Sequence, residues 1–149
     1  MSLTPNIDYV FIPKVTLILE QITFACVVAT KKYIFVVPKE GLSGHGRTIN
    51  TTTYTVNSKD PISGIKEYLE NKDITVKDLE DFLNQILFED LGLSKDGYLV
   101  EVGKMAEFNI KAGFFSKGIY YKKPGDKGFT GIAISGKENA INLKNFYGK

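Results

Sequence analysis

Residues 41–48, Gly41-Leu-Ser-Gly-His-Gly-Arg-Thr48, contain the single histidine of the chain, His45, and its single arginine, Arg47. Glycines on either side leave backbone amides uncovered. Amides in such a loop, together with a guanidinium, can hold an anion. The candidate ligand-binding residues are therefore Ser43, Gly44, His45, Gly46 and Arg47.

The same segment comes close to the phosphate-binding P-loop pattern, and it follows an apolar strand-like run. A P-loop works because glycine amides cradle phosphates at a helix N-terminus while a lysine reaches the outer phosphates. Here arginine stands where that lysine is required. The residues that follow, Ile49-Asn-Thr-Thr-Thr-Tyr-Thr55, favour a strand over a helix. Nucleotide hydrolysis is not expected, and a plain loop is the default reading.

Other catalytic arrangements find little material. A Ser-His-Asp triad would have to use His45, whose nearest serine, Ser43, is only two residues away. One histidine and one cysteine do not make a histidine-based metal site. Cys26 lies in the apolar run Ile22-Thr-Phe-Ala-Cys-Val-Val28 and reads as a small buried hydrophobe. No catalytic residue, metal or cofactor is assigned.

A second candidate surface comes from the charge distribution. Net charge is +2, but residues 57–100 carry five basic and ten acidic side chains, and residues 101–149 carry nine basic and four acidic. In the basic third, Lys117, Tyr120, Tyr121, Lys122 and Lys123 interleave cations with rings. Such a surface can hold single-stranded nucleic acid or lipid headgroups. The near-neutral chain argues against either partner, since nucleic-acid binders are usually far more basic. The alternative is a lysine-studded hairpin that discourages edge-to-edge pairing.

The elements that position these residues are legible from periodicity. Residues 7–57 read as strands: Tyr9–Ile12, with Pro13 marking an edge or a bend, an alternating run over 22–28, and Tyr33–Val37 pairing with it as a hairpin. Thr48 to Val56 reads as one solvent-facing or edge strand. A helical pair spans 60–90. It opens with Asp60 as N-cap and Pro61 at the first helical position, and its second helix opens on the capping-box pair Thr75 and Asp78. Leu79, Phe82, Leu83, Ile86 and Leu87 then form a stripe at helical spacing, with acids on the opposite face.

Strands return over 97–135. Phe108, Ile110, Ala112 and Phe114 alternate, and Lys123-Pro-Gly-Asp-Lys-Gly128 forms a turn. Ser135 and Glu138 predict a capping box for a C-terminal helix over 136–147, with Ala140, Leu143, Phe146 and Tyr147 as its apolar face. Helices segregated from strands indicate an α+β fold with short antiparallel connections. The expectation is one domain over 1–149: an antiparallel bent sheet or partly open barrel with a two-helix insertion and a C-terminal helix. This plan of strands followed by a terminal helix resembles that of pleckstrin-homology-like domains in element order alone.

The polar N-terminus lacks the apolar core of a secretory signal. The most apolar stretch, Val15 to Val28, is broken by Glu20, Gln21 and Thr23, whereas a spanning helix needs about 20 apolar residues. A single cysteine suits a reducing compartment. The expectation is a cytoplasmic, non-catalytic binding or interaction module, with a protein partner or self-association as its possible contacts. An enzyme or anion-binding domain centred on residues 41–48 is the alternative, and a lysine–aromatic surface is the third reading.

Overall fold

The strand-like runs at 22–28 and 33–37 are almost continuously apolar because both sides of these strands are covered. In the computed structural model, which describes residues 3–18, 22–38, 48–50, 55–57, 61–70 and 73–148, these runs become β2 (Ile22–Ala29) and β3 (Tyr33–Pro38). Ala25, Val27, Ala29, Ile34 and Val36 pack into one apolar core. Cys26, Val28, Phe35 and Val37 pack into a second core on the opposite face. Period-2 alternation splits the run between two cores.

β1 (Val10–Ile18) pairs with β2 and also with β9 (Thr130–Ile134), so it lies at the middle of a seven-stranded sheet ordered β6-β3-β2-β1-β9-β8-β7. Every pairing is antiparallel. β6 (Leu99–Glu101) follows a short helical turn, α3 (Lys95–Tyr98), while β7 is Glu107–Ala112 and β8 is Lys117–Lys122. β1 runs through Pro13, the residue expected to mark an edge or a bend, and is a central strand. The register shifts between Ile12 and Val15, and this irregularity tolerates a residue that cannot donate to a ladder. Thr48–Val56, expected as one strand, contains β4 (Thr48–Asn50) and β5 (Thr55–Asn57), which pair with each other as a separate two-stranded sheet.

The inserted helices cover the outer face of β2 and β3. α1 (Pro61–Leu69) begins on its proline, and α2 (Val76–Asn84) carries the expected capping box. Asp78 N–H donates to Thr75 Oγ1 at 3.1 Å, and Thr75 N–H donates to Asp78 Oδ2 at 2.9 Å. The apolar stripe then passes into a π-helix, Gln85–Asp90, which keeps Ile86 and Leu87 buried. With Ile65, Tyr68, Leu79, Phe82 and Leu83 they fill the second core. Among the described residues most acids of this pair are exposed, but Asp90 and Glu80 are half-buried, and Glu80 accepts a hydrogen bond from Thr30 Oγ1 at 2.6 Å.

The sheet curls around the first core. Val102 N–H donates to Lys32 O at 2.9 Å, and Ala106 N–H donates to Lys122 O at 2.7 Å. Four residues span at most about 14 Å, so the β6 side and the β7–β8 side of the sheet approach each other here. Lys123 closes across the same gap onto Asp96. The expected bent sheet or partly open barrel is therefore formed, as an open seven-stranded antiparallel sheet, and the fold is α+β. α4 (Lys137–Tyr147) supplies Ala140, Leu143 and Phe146 to the inner core. Its expected Ser135–Glu138 capping box is absent. Ser135 N–H instead donates to Lys14 O at 3.3 Å, and Gly136, at φ +95°, is the N-cap.

Both layers meet at the β2–β3 turn. Tyr147 Oη donates to Thr30 O at 2.6 Å, and the Lys31 ammonium donates to Phe146 O. Thr30 is buried, donates to Glu80 and accepts from Tyr33 N–H at 3.2 Å. Thr30→Val keeps the shape and removes both bonds, stranding two polar partners. The expected cost is about 2 kcal/mol, read as a lower urea midpoint at unchanged slope. A change under about 0.5 kcal/mol would show that the turn does not join the layers.

Candidate functional site

The helices leave part of the outer sheet face bare, and register decides which residues occupy it. Phe108 pairs with Tyr121 and Ile110 with Ile119, all pointing into the inner core. Glu107, Asn109 and Lys111, opposite Lys122, Tyr120 and Gly118, therefore point outward. β9 extends this face with Gly131 and Ala133, and β1 and β2 with Thr16 and Phe24.

On this face, cations sit on rings. Lys14 Nζ lies 5.4 Å from the Phe24 ring centre, Lys111 Nζ 4.7 Å from Tyr120, and Lys122 Nζ 5.4 Å from Phe129. Phe24 and Phe129 are about half exposed. Tyr120 lies flat because two of its neighbours have no side chain. A Cβ on Gly131 would come within 3.0 Å of its ring, and one on Gly118 would meet Ile132 O at 2.6 Å. Two glycines in facing strands thus make the bed for one tyrosine, whose hydroxyl is 3.3 Å from Ser116 Oγ. Cation–π pairs at exposed sites contribute about 0.5–1 kcal/mol each, so they order the lysines without neutralising them.

The five residues expected to form this surface are divided by the fold. Tyr120 and Lys122 lie on the bare face, and Lys122 also pairs with Glu107 at 3.5 Å. Lys123 sits beyond β8 and is engaged with Asp96, a bond that raises its pKa above the usual lysine range. Lys117 starts β8 and donates to Phe114 O at 3.2 Å. Tyr121 is corrected: it is buried in the inner core, and desolvation pushes its phenol above the usual range. Adjacent tyrosines in a strand cannot share a face.

Phe114 continues the alternation of Phe108, Ile110 and Ala112 in the sequence, but β7 ends at Ala112. Gly113 N–H donates to Ser116 O at 2.9 Å, closing a turn that carries Phe114 and Phe115 at its tip. Their side chains are 77% and 96% exposed, and the rings stack edge to face at 4.8 Å.

A groove lies at the other edge of the sheet, beside the π-helix. One cavity of about 230 Å³ is lined by Tyr33, Asn84, Phe88, Glu89, Lys95 and Glu101. A neighbouring space of about 410 Å³ shares Lys95, Leu99 and Glu101 with it and runs on to Lys104 and Met105. Glu101 is already paired with Lys104 at 2.9 Å. These side chains come from four separate segments, so no local pattern in the sequence announces the groove.

Cys26 is buried, and desolvation pushes its thiol up to about 12, far from the range of a reactive thiolate. Among the described residues, no group of three His, Cys, Asp or Glu side chains is placed to hold a metal ion, and no helix is long and apolar enough to cross a membrane. Ser43, Gly44, His45, Gly46 and Arg47 lie outside the described residues.

The fold and this surface define an α+β domain with a partly open antiparallel barrel, one lysine- and ring-bearing outer face and a capping C-terminal helix. No protein-family model, curated protein or solved structure matches the chain.

Proposed function

We propose that the chain is a non-catalytic binding module of the cytoplasm, working through the bare β7–β8–β9 side of its barrel. The observation that carries this reading is the placement of exposed rings. Phe24, Phe114, Phe115 and Phe129 all lie on or beside that half of the sheet, and lysines accompany them. Covering both faces of β3 and of β2 beyond Phe24, while leaving the rest of the outer face open, separates a stable scaffold from a contact surface. Exposed aromatic clusters with a polar rim mark interaction sites. The buried thiol and the absence of internal disulfides fit a reducing compartment.

Amide NMR with two anionic probes, poly-glutamate and a short single-stranded oligonucleotide, tests the proposal. The expected shifts cluster on Lys111, Tyr120 and Lys122 and weaken with salt. K111Q/K122Q is expected to remove them. Shifts at residues 41–47 alone would replace this reading with the anion-binding loop. No shifts with either probe at millimolar concentration would overturn the proposed surface.

A further inference from the structure

We propose that the β7–β8 turn is a lipid anchor: Phe114 and Phe115 enter the interface of an anionic membrane, and Lys111 and Lys117 bind its phosphates. This rests on the binding-module reading and names one partner for it.

Four observations converge on the turn. First, the two rings contact each other and are otherwise almost wholly in water. They contribute nothing visible to the core, so their burial is left for a partner. Second, the turn pairs part of its own backbone internally. Gly113 N–H bonds to Ser116 O, and Phe114 O accepts from the Lys117 ammonium. A segment entering an apolar interface must carry few unpaired polar groups, because each is costly there.

Third, the cations of this hairpin are sorted. Residues 108–125 contain four lysines and no acid. The two remote from the tip are paired, Lys122 with Glu107 and Lys123 with Asp96. The two beside the tip, Lys111 and Lys117, make no ion pair among the described residues. Lys117 stands opposite Ala112, and Lys111 is its neighbour on the other face, so positive charge flanks the rings on both sides of the hairpin. Fourth, the feature is a narrow protrusion. A protein interface needs about 800 Å² from each partner and a complementary pocket. A bilayer accepts a two-ring wedge without one, and headgroup phosphates lie where the flanking ammonium groups would sit.

Vesicle sedimentation tests this with the full-length chain. The expected result is partitioning onto phosphatidylcholine vesicles containing phosphatidylserine, with weak partitioning onto phosphatidylcholine alone. F114A/F115A is expected to lower the partition coefficient by about 100-fold, with no change in melting temperature because the rings support no core. K111Q/K117Q is expected to lower it by about 30-fold on the anionic vesicles and little on the neutral ones. Ile141→Ala, on the outward side of the C-terminal helix, is expected to bind as the parent does.

Wild-type protein that ignores anionic vesicles overturns the anchor. So does F114A/F115A that binds them normally, or a tip-dependent complex with poly-glutamate in the absence of vesicle binding. In each of these cases, NMR shifts on Lys111, Tyr120 and Lys122 with an anionic probe would leave the binding-module reading intact. If both measurements are blank, both readings fall.

Discussion

Between pH 9 and pH 12 the protein is expected to lose about 4 kcal/mol of stability through Cys26 alone. The thiol is fully buried, and desolvation raises it from 9.0 to about 12 in the folded chain. Below pH 9 both states hold the proton and the contribution is complete. As pH rises past 9 the unfolded chain gives up its proton while the folded chain keeps it. The unfolded state then binds fewer protons, and stability falls with pH. Three units at about 1.4 kcal/mol each give the stated loss. Buried tyrosines add to it at higher pH, since desolvation also raises Tyr9, Tyr121 and Tyr147.

Urea unfolding at pH 8, 10 and 11, with reductant present, measures the effect. Cys26→Ala is expected to be less stable than wild type at pH 8, because a small cavity replaces the thiol, and to lose less stability as pH rises. At pH 8 an alkylating reagent is expected to label wild-type Cys26 only on unfolding. Parallel pH profiles for wild type and variant would refute the assignment.

Leu143→Ala is expected to cost about 3 kcal/mol. Leu143 is buried in the inner core with Phe146 and Ala140, on the helix that closes the barrel. The mutation leaves a cavity under a helix that packs on β7, β8, β9 and β1, so local collapse cannot fill it. Ile141, on the outward side of the same helix, is about two-fifths exposed, and Ile141→Ala is expected to cost under about 1 kcal/mol. Chemical denaturation of the two variants gives the comparison directly. Equal costs would mean that α4 lies on the barrel without sealing it. The vesicle assay gives a further contrast: Leu143→Ala retains the aromatic tip, so below its unfolding transition it should still bind.

Several parts of this structure were legible in the residues themselves. The α2 start is one, because Thr75 and Asp78 satisfy each other's backbone groups within four residues. The β2–β3 hairpin is another, since two runs rich in β-branched and aromatic residues flank a short polar break. The same holds for the Lys123–Asp126 turn, where proline, glycine and aspartate each have a local reason to be present. Local geometry and hydrophobicity suffice for all three.

The surface was not legible in this way. Alternation assigns Tyr120 and Tyr121 to opposite faces but does not say which face is covered. That depends on where the inserted helices pack, which is a contact between distant segments. Phe114 continues the alternation of Phe108, Ile110 and Ala112, and only the closing bond from Gly113 to Ser116 places it at the tip of a turn. Pro13 reads as an edge or a bend, and only the pairing of β1 on both sides shows that it lies in a central strand. The bond from Thr30 to Glu80 joins residues fifty positions apart. The sequence by itself determined which segments are strands and helices, because those choices rest on neighbours within a turn or two. Only the tertiary structure decided which side chains remain in water, because exposure depends on what the rest of the chain covers.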